Sequence, residues 1–266
     1  MSSNSLKYLL KSKSFKFMRD RKDASHKLQT YSYAGKDIYY RTSTSDMTLI
    51  YEILLKSECK SEYYIPRQIN PEVIFDIGGN IGITAIYLAN RFPQAKIYSF
   101  EPLPDNYKIL EKNIQSYENI KAFNFGLGSK DGNFDVYLSK DPENFGGVSF
   151  YPDAGGVGNS TPFKCKIKSM DNTLKSLDIS LIDLIKIDTE GAEFDILTNL
   201  DKEILRNVSW ITGELHGNQD FELLDYLTKL GFSIGMKKEI NNRLFMFHAG
   251  KSEIIAMMNK AELRAL

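Results

Sequence analysis

The chain has 266 residues, room for one large domain with an appended segment and a sizeable core. Its 42% hydrophobic and 26% charged residues exclude a disordered or fibrous chain and fit a globular one. The 34 basic and 34 acidic residues cancel, no apolar run approaches the roughly 18 residues of a membrane span, and no secretory core follows the start, so a cytoplasmic location is expected.

The neutral total conceals an asymmetry. Residues 1–30 hold eight basic residues (Lys7, Lys11, Lys13, Lys16, Arg19, Arg21, Lys22, Lys27) against Asp20 and Asp23, which leaves the remainder at minus six. Leu6, Tyr8, Leu9, Leu10, Phe15, Phe17 and Met18 lie between these charges. The arm reads as a solvated helix packed on the body, or as one in weak contact with an anionic lipid surface. Residues 31–41 alternate around Gly35-Lys36 as a hairpin, and Ser45 or Asp46 then caps a helix with Ile50, Ile53 and Leu54 on one face. Cys59 and Cys165 sit in no metal-type spacing and fit a reducing compartment as small apolar fillers.

The stretch from Val73 to Gly82 is the most informative. A buried strand ends around Asp76, and Gly78, Gly79 and Gly82 turn the chain into a helix from Ile83 to Arg91. That order of parts builds a nucleotide crevice at the carboxyl end of a parallel strand, with glycines letting a ligand lie against bare peptide. The spacing is not the G-x-G-x-x-G of dinucleotide sites. An acid beside the turn would repel a pyrophosphate but suits a cationic ligand with amino and hydroxyl donors, such as S-adenosylmethionine (SAM). A second strand, Ala95 to Phe100, ends in Glu101, 19 residues beyond Gly82. A carboxylate there takes two ribose hydroxyls, or else caps the helix that Pro104 and Asp105 begin.

Tyr107, Leu110 and Ile114 mark the crossover to a third strand, Ile120 to Phe125, and this alternation implies a doubly wound α/β sheet. It breaks at Gly126-Leu127-Gly128. Phe134, Val136 and Leu138 show period two, as do Phe163, Cys165 and Ile167, giving a small two-stranded β insertion within residues 129–170. The Gly- and Pro-rich stretch Gly146 to Pro162 between them reads as a substrate-side flap, or as disorder. The parallel pattern resumes at Ile182 to Asp188, and Thr189-Glu190-Gly191-Ala192-Glu193 opens another helix. A further strand, Val208 to Leu215, ends in Glu214-Leu215-His216. After a helix from Asp220 to Leu230, Phe232 to Met236 and Leu244 to His248 form a hairpin turning at Asn241-Asn242. That hairpin adds one antiparallel strand. The expected organisation is an N-terminal arm, hairpin and helix (1–70), a nucleoside-binding domain (71–250) and a C-terminal helix (251–266).

Phe75–Gly82, Phe100-Glu101-Pro102, Ile185–Glu193 and Glu214-Leu215-His216 occur in the order and spacing of the FkbM family of methyltransferases, which residues 31–250 resemble. The Ser45-Asp46 helix and Tyr63-Tyr64 are similar too, while Met170-Asp171-Asn172-Thr173-Leu174 departs from the Thr-Leu-Asp more often found there. The resemblance implies a Rossmann-like class I methyltransferase sheet of seven strands. It also implies SAM-dependent O-methylation, often of a sugar hydroxyl in a polysaccharide, glycolipid or secondary metabolite. The cofactor is then expected on Asp76, Gly78, Gly79, Asn80, Gly82, Glu101, Pro102, Gly126, Leu127 and Asp188, with the ribose on Glu101 and the adenine near Gly126 and Leu127.

A sugar hydroxyl is a weak nucleophile at neutral pH and needs a base or a metal to remove its proton. Asp188, Glu214 and His216 end adjacent parallel strands facing the glycine turn, and Glu214 and His216, two apart, project to the same side. With His26 and His248 outside the crevice, His216 is the expected general base, oriented by Asp188 and Glu214. The competing arrangement is a divalent cation such as magnesium on Asp188, Glu190 and Glu214. Glu193 reads as a first-turn acid favoured by the helix dipole. Two rival functions stand beside the enzyme: a catalytically inactive SAM-binding partner of a glycan-synthesis enzyme, and a nicotinamide-dependent reductase. The latter lacks its glycine fingerprint and any Tyr-x-x-x-Lys set in the crevice. The acceptor is expected to be a small molecule or glycan. Nucleic acid is not expected, since the body is acidic and no Asn-Pro-Pro-Tyr follows the fourth strand. Nothing in the residues indicates an oligomeric state.

Overall fold

The computed structural model describes residues 3–56, 60–138, 148–149, 163–216, 219–240 and 244–264. Helices α1 (Ser3–Ser12) and α2 (Phe15–Asp20) precede a hairpin of β1 (Leu28–Tyr33) and β2 (Lys36–Arg41). Helix α3 (Ser45–Leu49) then continues as a π-helical turn, Ile50–Leu55. The next elements are β3 (Val73–Ile77), α4 (Ile83–Arg91), β4 (Lys96–Phe100), α5 (Pro104–Ile114) and β5 (Ile120–Phe123). An inserted stretch of β6 (Gly126–Gly128), β7 (Gly132–Leu138), β8 (Val148–Ser149) and β9 (Phe163–Ser169) leads through α6 (Met170–Leu177) to β10 (Leu184–Ile187). The chain closes with α7 (Glu193–Thr198), α8 (Lys202–Asn207), β11 (Trp210–Leu215) and α9 (Asp220–Lys229). Last come β12 (Phe232–Ile240), β13 (Leu244–Lys251), α10 (Ser252–Met257) and α11 (Lys260–Leu263).

Seven strands form one sheet in the order β12-β13-β11-β10-β3-β4-β5. Strand β13 is antiparallel to both neighbours and the other pairings are parallel. This is the doubly wound class I methyltransferase sheet expected from the alternation, closing hairpin included. From β3 the chain moves outward through β4 to β5, then returns to β10 on the opposite side of β3. A crevice therefore opens at the carboxyl ends of β3 and β10.

Strands β3 and β10 are apolar toward both faces because both faces are covered. Phe75, Ile77, Ile185 and Ile187 join the core on one side, and Ile74 and Leu184 the core on the other. A polar row interrupts the second face. Strand register sets Ser99, Asp76, Lys186, Thr212 and His248 side by side on five successive strands, all of them buried. The N-terminal extension covers this face: Phe17, Tyr40, Ile50, Tyr63 and Tyr64 share a core with Ile74, Ala85 and Leu184. Tyr8 of α1 stacks on Tyr51 with ring centroids 4.3 Å apart, so the inner side of the basic arm packs on the body.

Some local details differ from expectation. Thr44 caps α3, not Ser45 or Asp46, its hydroxyl accepting from the Asp46 amide at 3.3 Å. The Asp46 carboxylate is taken instead by Arg41, which donates from its amide, Nε and Nη2 at 2.9, 2.8 and 2.7 Å. Arg41 Nη2 also reaches Asn106 Oδ1 on α5 at 2.9 Å, linking hairpin to sheet layer. Both ions are buried. Removing one partner leaves the other charge uncompensated, so Asp46→Ala should cost about 3–5 kcal/mol by chemical denaturation. A loss below about 1 kcal/mol, the range of an exposed pair, would refute that role.

The insertion has four strands, not two, in the order β6-β9-β7-β8. Strand β6, read from the sequence as a break, pairs parallel to β9. A Cβ on Gly126 would lie 2.8 Å from Ile167 Cδ1, the end of a flexible side chain that would have to turn aside. Leu103, Val136, Cys165 and Ile167 form its small core, with Cys165 the apolar filler expected. The expected flap Gly146 to Pro162, apart from β8, lies outside the described residues, as do Asn241-Asn242 and Cys59. At the C-terminus two short helices replace one, because Asn259 caps a new helix by accepting from the Ala261 and Glu262 amides. Among the described residues no helix is long and apolar enough to cross a membrane.

Candidate active site

After β3 the chain turns through Gly78 (φ 80°), Asn80 (φ 48°) and Gly82 (φ 87°). The Gly78 and Gly79 amides donate to the Phe100 carbonyl at 3.0 and 2.9 Å, tying the turn to the end of β4. A Cβ on Gly78 would lie 1.8 Å from the carbonyl oxygen of Asp188, so the turn closes on the end of β10 only with glycine there. Beneath it, Lys186 Nζ donates to the Gly78 carbonyl at 2.7 Å. The same ammonium stands 3.7 Å from Asp76 Oδ1 and 4.0 Å from Asp188 Oδ2. Lys186 is absent from the site residues expected above. Its signal was a lone lysine in the apolar run Leu184-Ile185-Lys186-Ile187, since a buried ammonium persists only with partners.

Asp76 is fully buried. Its Oδ2 accepts from Ser99 Oγ at 2.7 Å, while Oδ1 has no hydrogen-bond donor, and the same holds for the buried Oδ1 of Asn80. Burial raises the Asp76 carboxyl, with Lys186 opposing. Glu101, also buried, accepts from the Asn80 amide at 2.7 Å and from the Leu103 amide, which precedes α5, at 2.8 Å. It therefore joins the glycine turn to the segment that enters α5, although the cap position of that helix is Leu103, with no side-chain cap. Burial pushes its carboxyl up to about 7, against those two amides.

A cleft of about 500 Å³, partly open to solvent, runs over this turn. Gly78, Glu101, Pro102, Gly126, Leu127 and Asp188, six of the ten expected cofactor residues, line it. Asp76 at the end of β3, and Gly79, Asn80 and Gly82 of the turn, are not among its lining residues.

At one end of the cleft the strand termini bring carboxylates around a single imidazole. His216 Nδ1 lies 3.4 Å from Glu193 Oε1 and 3.9 Å from Asp188 Oδ1. Its Nε2 lies 3.3 Å from Glu214 Oε2 and 3.7 Å from Glu190 Oε2. Asp188, Glu214 and His216 thus converge, each offering a ligand atom within 4.8 Å of the others. Glu190, the third oxygen ligand expected for a cation, is outside that set. It sits in the left-handed region (φ 57°) before Gly191 (φ 115°), a conformation that turns β10 sharply into α7.

Glu193 does more than occupy a first turn. Its carboxylate accepts from the Thr189 amide at 2.8 Å, from the Gly191 amide at 3.0 Å and from His216. It holds both the turn and the imidazole. Two further groups were missed. Tyr63 Oη donates to Asp188 Oδ2 at 2.9 Å, and its ring lies 5.2 Å from Lys186 Nζ. Glu62 is hydrogen-bonded to Glu214.

The electrostatics follow from this crowding. Burial, then the charges of Glu214 and Asp188, push the Glu62 carboxyl up to about 8. Burial and Glu214 raise Asp188, and burial raises Glu190, whose side chain is still 35% exposed. Burial works against charge at Glu214 and Glu193 as well, but the hydrogen bond to His216 holds each below the usual carboxylate range. Burial alone would depress His216, yet its bonds to Glu193 and Glu214 outweigh that and raise it well above 6.5. The surrounding carboxylates thus favour the charged imidazole, where an isolated histidine would titrate near neutrality.

A family model described as a methyltransferase FkbM domain matches residues 76–234. The chain belongs to the FkbM methyltransferase family. Methyltransferase sdnD of Sordaria araneosa is 29% identical over 209 residues, covering 67% of this chain and 80% of that protein. Hexuronic acid methyltransferase AglP of Haloferax volcanii is 25% identical over 150 residues, 56% of this chain and 58% of its own. 2-O-methyltransferase NoeI of Sinorhizobium fredii is 25% identical over 164 residues, 56% of this chain and 65% of its own. Across the curated relatives the matched share of their length runs from 10% to 80%. The FkbM match takes in Asp76, Glu101, Asp188, Glu214 and His216, whereas Glu62 and Tyr63 come from the segment upstream of it.

Proposed function

We propose that this FkbM methyltransferase moves the methyl group of SAM to a hydroxyl of a saccharide acceptor in a polysaccharide, glycolipid or secondary metabolite. One observation carries the reading: Asp188 belongs to both halves of the site. It lines the cleft with Gly78 and Glu101, and it stands in the cluster with Glu214 and His216. The names of AglP, a hexuronic acid methyltransferase, and NoeI, a 2-O-methyltransferase, support a sugar oxygen as acceptor.

The residues fit SAM. The buried Oδ1 atoms of Asp76 and Asn80 accept nothing and suit amino and hydroxyl donors. Each Glu101 oxygen accepts one backbone amide and keeps a lone pair for a ribose hydroxyl. The excess of carboxylates around Lys186 and His216 favours a cationic ligand. SAM, when bound, supplies a methyl group on a positively charged sulfur, already activated toward an oxygen nucleophile. What this chain must add is alignment and a proton acceptor.

In this reading Asp188 takes the acceptor's proton. The Tyr63 phenol and the His216 cation stabilise its carboxylate form, while Glu193 and Glu214 hold His216 by its two nitrogens. His216 becomes the fixed cation of the site, and the base is the acid beside it. A divalent cation held by Asp188, Glu214 and His216 is the rival reading, favoured by their mutual spacing. Calorimetry should show about micromolar or tighter binding of S-adenosylhomocysteine (SAH) and none of NADH. Transfer should survive EDTA; activity abolished by EDTA and restored by magnesium would reassign the three residues as ligands. A chain that binds SAH but never transfers methyl would be the inactive partner instead.

A further inference from the structure

We propose that α1 and α2 dock this protein on an anionic lipid surface. Helix α1 has two faces. Ser5, Tyr8 and Ser12 are buried against the body. On the other side Leu6 and Leu10, one turn apart, are 47% and 67% exposed, and Phe15 at the start of α2 is 60% exposed. Lys7, Lys11 and Lys13 are exposed between them, so apolar and cationic side chains share one outward strip. Alternation of this kind is what an interfacial helix presents to a bilayer.

The charge is one-signed where it matters. No acidic residue precedes Asp20. Asp20 is itself buried, accepting from Tyr40 Oη at 2.7 Å and from Lys16 Nζ at 2.9 Å. Asp23 keeps its charge, its carboxylate accepting from the Ser25 hydroxyl at 2.6 Å, but it lies beyond the end of α2 and outside the strip. The outward strip therefore presents ammonium groups and hydrocarbon only. A second copy of the strip would set lysines against lysines, whereas an anionic headgroup layer complements the charge and accepts Leu6, Leu10 and Phe15 below it.

The strip is connected to the site. Tyr8 stacks on Tyr51 in the π-helical turn. The Glu62 amide donates to the Glu52 carbonyl of that turn at 3.3 Å, and Tyr63 follows directly. A bilayer bound at α1 would lie on the side of the molecule that supplies Glu62 and Tyr63. This proposal does not depend on the methyl-transfer reading and is tested without it.

The whole chain should be floated with phosphatidylcholine vesicles and with vesicles carrying about 30% phosphatidylglycerol. The expected result is partition to the anionic vesicles only, lost at high salt. Leu6→Ser with Leu10→Ser and Phe15→Ser should weaken it by about tenfold or more, and Lys7→Gln with Lys11→Gln by a similar factor. All five positions are exposed, so melting temperatures should match wild type. Failure of wild type to partition, or undiminished partition of both variants, would overturn the proposal. So would a wild-type dimer in sedimentation velocity that the serine variant abolishes, since the strip would then be a contact between copies.

Discussion

Asp188→Asn should lower kcat by about two to four orders of magnitude, the usual contribution of a proton acceptor. SAH affinity should change by less than about tenfold, because Asn keeps the shape of the cleft wall and can still accept from Tyr63. The pH profile should be a bell. Asp188 is raised by burial and Glu214, so the rate falls as pH drops through a carboxylate titration above the ordinary range. His216 is raised well above its usual value, so the rate falls again as pH rises and the cation is lost. A rate that instead climbed through the His216 titration to an alkaline plateau would return the base role to His216. Near-normal turnover by Asp188→Asn would remove Asp188 from the chemistry.

Glu101→Gln should weaken SAH binding by about a hundredfold or more, since two hydrogen bonds to a buried charged group are each worth roughly 1.5–3 kcal/mol. Glu101→Ala should lose at least as much and strands both the Asn80 and Leu103 amides, whereas Glu101→Gln strands only one, so the glutamine variant, with its melting temperature measured alongside, is the cleaner measurement. The same carboxyl predicts a pH effect. It titrates at about 7 in the free protein, and hydroxyl donors favour its charged form. Binding below that pH must expel a proton, so SAH affinity should fall by up to about tenfold for each unit below pH 7. Equal affinity in wild type and Glu101→Gln, with no pH dependence, would place the ribose elsewhere.

The frame of this site was legible because its signals are local. Apolar runs of strand length, the Gly78-Gly79-Asn80 turn and an acid 19 residues beyond Gly82 each follow from one segment and its period. Asp188, Glu214 and His216 could be placed together because parallel strands end at the same edge. What was missed depends on segments far apart in sequence. Glu62 and Tyr63 enter the site through the packing of the N-terminal extension on the polar row, and Tyr63 meets Asp188 across 125 positions. Thr44 took the cap because Arg41, five residues before Asp46, claimed the better acceptor. Glu193 read as a helix-start acid until the turn at Glu190 and Gly191 folded its carboxylate back toward His216. His216 read as a base because an isolated imidazole titrates near neutrality; the four carboxylates within 4 Å of it, three of them remote in sequence, raise its titration. Lys186 was visible all along, and only its burial under the glycine turn gave it meaning.

The most direct test is mass spectrometry of saccharides and glycolipids after incubation with the protein and SAM carrying a deuterated methyl group. The account predicts an O-linked methyl label on a saccharide, one SAH formed per label, and loss of both in Asp188→Asn. Label found on nitrogen, on protein or on nucleic acid, or label unaffected by Asp188→Asn, would contradict it.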